Sequence, residues 1–374
     1  MYNILTLNKI SPIGLNEFTD GYKYGDAIEN PDAIMVRSAA MHDMELSDST
    51  LAIARAGAGV NNIPVDKCAE NGVVVFNTPG ANANAVKELV ILGLLISSRN
   101  VAGAIDWAKT LENETGVAKL VEKGKSQFAG PEIMGKTLGI IGLGAIGLLV
   151  ANAAVALGMD VIGYDPFLSI KSAHALDARV KIVNDMADIF ADSDYISVHV
   201  PLNDATRDTI NADTIAQMKD GVRILNFARG ELVNKDAIIA ALESGKVASY
   251  VVDFPTDGII GKKGVVAIPH LGASTPESED NCAKMAAQEL MAYLENGSII
   301  NSVNMPCVTL PKFTAKRICV IHKKDAAAAV TSALAGADSL VSNTRGDYGY
   351  TVADMANAPS LDGIDGVIKV RVLG

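Results

Sequence analysis

Short apolar runs alternate with longer amphipathic stretches along most of the chain, the rhythm of parallel strands covered by helices. Residues 33–36, 52–54 and 73–76 read as short buried strands, and the alternating run 1–10 as a first strand. Residues 82–98 predict one long helix, apolar on most faces, of the kind that buries itself at a domain or subunit contact. A second α/β unit starts at 137–142 and runs to about residue 270, with strands expected at 160–164, 195–200, 223–227 and 249–252. An amphipathic helix over 276–296 and a proline-marked linker over 301–311 follow.

From residue 316 the rhythm changes. A strand at 317–322, an alanine-rich helix at 325–337, two strands near 339–343 and 348–353 and a last one at 366–373 give a βαββ(α)β order, with room for a second helix. That order predicts a small, separate α+β domain. No repeat of solenoid period is visible.

Composition narrows the function classes. A length of 374 residues suggests two or three domains. A net charge of −11, with no basic run longer than two residues, argues against nucleic acid and against an anionic membrane surface as partner. Cys68, Cys282, Cys307 and Cys319 form no C-x-x-C pair, so neither a zinc site nor a redox motif is written and no metal is expected. The longest apolar stretch, near 89–96, is too short to span a bilayer. The expectation is a soluble, cytoplasmic protein.

The densest chemical signal is Gly142, Gly144 and Gly147, spaced G-x-G-x-x-G between an apolar strand and a helix expected at 146–157. Gly142 permits the tight turn, Gly144 lets backbone approach a pyrophosphate, and Gly147 lets the helix pack close to the strand. Asp165 ends the next strand, about twenty residues further on, where a carboxylate binds ribose hydroxyls and repels a 2′-phosphate. The pattern predicts NAD rather than NADP.

Hydride transfer from an alcohol carbon needs a group to take the hydroxyl proton, and histidine titrates near working pH. Of five histidines, His42 and His174 lie in polar segments and His322 in the tail. His199 and His270 follow strands of the second unit, where ligands bind in open α/β folds. His270 opens a loop of small residues and is the first choice; His199 lines the cofactor crevice or serves the structure. Arg229, just past a strand end, is the candidate for a bidentate carboxylate clamp.

Together with the stretches 36–39, 55–62, 77–83, 135–147, 199–202, 226–233 and 269–275, these residues resemble the D-isomer-specific 2-hydroxyacid dehydrogenases. The resemblance covers most of residues 33–310 in the family's order. It implies two Rossmann-like or flavodoxin-like lobes with NAD in the cleft, plus a tail resembling an ACT domain. The substrate domain would comprise 1–97 and 280–306, the NAD-binding domain 98–279 and the ACT-like domain 316–374. His270 would be the acid–base and Arg229 the clamp. Gly142, Gly144, Ala145, Ile146, Gly147, Asp165, His199, Val200, Pro201, Phe227, Ala228, Gly272 and Ala273 would hold the cofactor, with Asp253 near the nicotinamide amide. Gly57, Ala58, Gly59, Val60 and Asn61 would offer backbone N–H groups to the substrate carboxylate, and Arg37 and Arg55 would hold a phosphate.

One position departs from the family. Its members pair the histidine with a Glu five residues after the position of Asp253, and here that position is Gly258. Asp257 is the candidate replacement, or an exposed turn residue. The expected substrate is 3-phosphoglycerate, in a homodimer or homotetramer with serine as a possible effector. A hydroxypyruvate or glyoxylate reductase, and a non-catalytic NAD-sensing interaction protein, stay open as alternatives.

Overall fold

Parallel strands covered on both faces have no wet side, so they read as continuous apolar runs. Ala33–Val36, buried at all four positions, shows this in the first sheet. The computed structural model describes residues 1–313 and 316–374. It divides into Met1–Asn82 with Thr275–Gly374 as one unit and Ala83–Ser274 as the other.

In the first unit, β1 (Tyr2–Leu7), β2 (Tyr22–Gly25), β3 (Ala33–Val36), β4 (Ala52–Arg55) and β5 (Val74–Asn77) form one parallel sheet in the order β2-β1-β3-β4-β5. The helix Pro276–Asn296 covers one face with Ala283, Ala286, Ala287, Leu290 and Leu294, a helical stripe. The Thr275 hydroxyl caps its start by accepting from Ser278 N, and Gly297 ends it in the left-handed region at φ +65°.

The second unit holds β6 (Thr137–Ile141), β7 (Asp160–Tyr164), β8 (Lys181–Ile182), β9 (Tyr195–Val198), β10 (Val222–Asn226), β11 (Val247–Val252) and β12 (Val265–Ala267). They form a parallel sheet in the order β12-β11-β10-β9-β6-β7-β8. The chain winds outward from β6 to β8 and then returns to β9. The β6/β9 boundary is therefore the topological switch point, where such sheets bind ligands. The expected α/β class with parallel sheets is what the chain adopts.

The tail is a four-stranded antiparallel sheet, β13 (Lys316–Lys323), β14 (Ser339–Arg345), β15 (Tyr348–Met355) and β16 (Val367–Leu373), in the order β14-β15-β13-β16. Alternation along β13 sends Cys319 and Ile321 into the core of the long helix, and Ile318 and Val320 toward the short helix Ala327–Ala333. Rather than standing apart, the tail shares a core with the first unit. The second tail helix allowed for by the sequence is not present among the described residues.

The border also differs from the expected 97/98. Helix Ala83–Ser98 belongs to the second unit, where Gly93 lets it approach β10: a Cβ there would lie 3.0 Å from Leu225 and Phe227. Among the elements the chain adds to those expected are the short strands β2, β8 and β12 and the helices Val101–Lys109 and Val117–Gly124. No single helix among the described residues is long and apolar enough to cross a membrane.

Candidate active site

The glycine turn at the switch point has the geometry its chemistry requires. Gly142 is in the left-handed region at φ +94°, and a Cβ on it would sit 2.8 Å from the carbonyl oxygen of His199 at the end of β9. A Cβ on Gly147 would meet Gly142 O at 1.9 Å, so the helix Ala145–Ala156 can start only with glycine there. Gly144, by contrast, opens onto free space, the side from which a pyrophosphate can reach the first-turn N–H groups of Ala145, Ile146 and Gly147. The residues fit the dinucleotide.

Asp165 does more than the motif implies. Its carboxylate accepts from Leu143 N at 2.9 Å and from Phe167 N at 2.8 Å, tying the glycine turn to the loop after β7. Each oxygen keeps lone-pair capacity for a ribose hydroxyl. His199 accepts or donates one hydrogen bond, Nε2 to Ser197 Oγ at 2.8 Å, and desolvation of its ring pushes its pKa down to about 4. The ring is therefore neutral near pH 7 and tied back to its own strand. Val200 packs against the same core and beside Gly142, and Pro201 is exposed. Phe227, expected at the cofactor, has its ring in the core against Gly93, so only its backbone is available; Ala228 beyond it is half-buried.

Past β10, β11 and β12, three strand ends bring Arg229, Phe254 and His270 together. The Arg229 guanidinium lies 5.0 Å from the Phe254 ring centroid, and the His270 ring lies 4.2 Å from it. Arg229 is exposed and its side chain bonds, among the described residues, only its neighbour's carbonyl, Ala228 O, at 2.7 Å, leaving most of its fork for an incoming carboxylate. His270 is exposed, with backbone at φ +54°, a strained value for a non-glycine residue and a mark of functional sites. Asp253 holds that conformation. Its carbonyl accepts from His270 N at 2.9 Å, and its buried carboxylate accepts from Leu271 N at 2.7 Å and Gly272 N at 2.8 Å. Burial raises the Asp253 pKa above the usual carboxylate range, while those two N–H bonds and the nearby His270 oppose the rise.

Glu231, Thr256 and Pro269 join Phe254 and His270 in lining a recess of about 400 Å³. Asp257 does not line it; the residue is exposed on a turn, and no hydrogen bond or ion pair joins it to His270. Ala273, beside Gly272, is half-buried. Phe254 was missed from sequence, although an aromatic immediately after Asp253 at a strand end was the available signal.

In the first unit, the loop after β4 is anchored by its carbonyls. Gly57 O accepts from Thr78 N at 3.1 Å, and Ala58 O accepts from Asn77 Nδ2 at 2.6 Å. No peptide bond here is cis, so the N–H groups of Ala58 and Gly59 point opposite to those carbonyls. The N–H groups of Ala58, Gly59, Val60 and Asn61 have no intramolecular acceptor among the described residues, a row of donors suited to an anion. Gly57 has φ +149°, and a Cβ on it would strike the Arg55 guanidinium, which also donates through Nε to Arg37 O at 3.0 Å. Arg37 is already paired with Glu279. A phosphate would have to compete for it.

A fold with a pyrophosphate turn at its switch point and a histidine–arginine pair on the same edge defines a nicotinamide-dependent dehydrogenase. Residues 93–272 match the family model for the D-isomer specific 2-hydroxyacid dehydrogenase NAD binding domain. A hydroxypyruvate reductase of Thermotoga maritima is 41% identical over 264 residues, covering 67% of this chain and 81% of that protein. A D-3-phosphoglycerate dehydrogenase of Bacillus subtilis is 32% identical over 333 residues, covering 84% of this chain and 61% of that enzyme. The chain spans about half the length of several other phosphoglycerate dehydrogenases that it matches. Among solved structures, an NAD⁺-bound 3-phosphoglycerate dehydrogenase of Entamoeba histolytica superposes with a TM-score of 0.63 at 25% identity, covering 81% of this chain and 98% of that one. The chain belongs to the D-isomer-specific 2-hydroxyacid dehydrogenases, and its second unit carries their NAD-binding domain.

Proposed function

We propose that the protein oxidises the 2-hydroxyl of 3-phosphoglycerate with NAD⁺, giving 3-phosphohydroxypyruvate for serine biosynthesis. The observation that carries this reading is the stack of Arg229, Phe254 and His270 on the edge of the nucleotide sheet. NAD⁺ supplies the acceptor for the hydride that leaves C2 with its electron pair. His270 takes the hydroxyl proton as the C–O bond becomes a carbonyl. Arg229 holds the substrate carboxylate, the loop from Gly57 to Asn61 adds N–H donors, and Arg37 and Arg55 are the candidates for the phosphate. Asp253 positions the His270 loop. Asp257 has no part in this reading.

The tail, resembling an ACT domain, fits a structural role in a cytoplasmic homodimer or homotetramer; serine is the effector to test. A second reading is a hydroxypyruvate reductase, favoured by the Thermotoga maritima relative and by the engagement of Arg37 with Glu279. The test is NAD⁺ reduction with 3-phosphoglycerate and with glycerate, and NADH oxidation with hydroxypyruvate, each with and without serine. A higher kcat/KM for the phosphorylated acid supports the first reading; preference for the unphosphorylated one selects the second. Loss of turnover in both Arg229→Ala and His270→Ala is expected. Normal turnover in both ends either reading.

A further inference from the structure

Asn77 ends β5 directly opposite Arg55, which ends β4, in the sheet register. Its side-chain amide holds Ala58 O, and the next backbone N–H, from Thr78, holds Gly57 O. These two bonds set which way the loop's peptide planes face. Behind Asn77 the chain of contacts continues inward: Asn77 N donates to Asn301 O at 3.4 Å, and Asn301 Nδ2 donates to Glu289 Oε1 at 2.6 Å. Glu289 lies on the helix Pro276–Asn296 and is only 4% exposed; its other oxygen, Oε2, has no hydrogen-bond partner among the described residues.

We propose that Asn77 is a positioning residue for the substrate carboxylate, fixing the loop so that its N–H groups face the anion, with Asn301 and Glu289 bracing it from the core. The proposal rests on the functional reading above, in which that loop receives a carboxylate. Loop glycines alone do not give this orientation, because peptide planes flip readily where glycine relaxes the backbone. Two fixed acceptor carbonyls do. The bracing acid must also be uncharged, since a carboxylate behind an anion-binding loop would repel the substrate. Burial supplies that condition, pushing the Glu289 pKa up to about 8 against the opposing bond from Asn301.

The test replaces Asn77 with Leu, which keeps the size and adds no charge but removes the donor to Ala58 O. The expected result is a KM for the 2-hydroxy acid raised about tenfold, the loss of one bond's worth of ordering, with kcat and NADH affinity nearly unchanged. Glu289→Gln keeps an oxygen for Asn301 and stays neutral, so its KM should match the wild type. Thermal melts confirm that each variant is folded. A fall in kcat with KM unchanged, or no change in either, overturns the proposal. Calorimetric titration with oxalate, a non-reacting dicarboxylate, reads the loop without turnover. Oxalate binding weakened in Asn77→Leu supports the proposal even if the wild type oxidises none of the tested acids, a result that would sink the functional reading alone. Equal oxalate binding by variant and wild type overturns the proposal alone, and a wild type that binds no oxalate overturns both.

Discussion

Arg229 stacks its guanidinium on the face of Phe254, 5.0 Å from the ring centroid, while His270 contacts the same ring at 4.2 Å. One aromatic side chain thus lies between a cation and the imidazole proposed to exchange a proton. Direct contact would bias His270 against protonation. The ring is the contact the two groups share.

Phe254→Ala should therefore disturb both groups together. Cation–π and ring–ring contacts each contribute on the order of 1 kcal/mol, so kcat/KM should fall at least tenfold, and Phe254→Tyr should restore most of it. Steady-state kinetics of the two variants check this. An alanine variant with wild-type kcat/KM would show that the ring has no positioning role.

Asp165 makes a different prediction because its carboxylate ties the glycine turn in place and is also the proposed ribose ligand. In Asp165→Ala the bonds to Leu143 N and Phe167 N are lost with the charge. Hydrogen bonds to charged groups contribute roughly 1.5–3 kcal/mol, so NADH should bind roughly ten- to a hundredfold more weakly. The preference for NADH over NADPH should shrink as well. Fluorescence titration with both coenzymes measures each effect, and unchanged discrimination would remove Asp165 from the ribose site.

The cofactor turn was legible in sequence because its parts are local: Gly142, Gly144 and Gly147 sit within one turn, and Asp165 follows at the end of the next strand. The strands around it were legible because buried parallel strands are continuous apolar runs. Arg229, Phe254 and His270 come from three different strand ends, and their shared ring contact depends on sheet order, which no local pattern encodes. The same holds for Arg37, whose partner Glu279 is 242 residues away. The attachment of the tail was hidden for a related reason. Its strands were visible, but its attachment uses distant partners such as those of Arg317, a buried side chain that pairs with Asp354 and donates to Asn296 O at the end of the long helix and to Pro311 O. From sequence it was one more charged residue at a strand edge.

That attachment predicts that the tail is needed for stability. Arg317 is fully buried, and its guanidinium holds the Asp354 carboxyl below the usual range. Arg317→Ala takes the guanidinium from Asn296 O, from Pro311 O and from Asp354, which keeps the Ser339 hydroxyl as a donor, and breaking a buried pair costs about 3–5 kcal/mol. Urea melts should show a lower midpoint for the whole first unit. A separate early transition for the tail alone would mean that it folds independently.

His199 sets an acid limit. Its folded pKa, near 4, lies below the ordinary 6.5 because the ring is desolvated. Above pH 6.5 the residue is neutral in both states, and its contribution is fully present. As pH falls from 6.5 toward 4, the unfolded chain takes up a proton that the folded one refuses, and stability drops by at most about 1.4 kcal/mol per pH unit. His199→Gln should flatten that window in chemical denaturation, and an unaltered slope would place the charge of His199 in solvent.

Glu289 works in the opposite direction. Burial raises its folded pKa to about 8 from an ordinary 4.5, with the Asn301 bond opposing. Below pH 4.5 the acid is protonated in both states, and the stability of the neutral buried group is complete. Between 4.5 and 8 the unfolded chain releases the proton while the folded chain keeps it. Stability is therefore lost as pH rises, again by at most about 1.4 kcal/mol per unit, and the loss is finished once the folded group ionises. Glu289→Gln cannot titrate, so its stability relative to the wild type should climb through that window and then level off. Denaturant midpoints of the two proteins, measured across the window, test the sign directly. Parallel curves would mean that Glu289 is ionised inside the fold, which its unpartnered Oε2 and the missing counter-charge argue against.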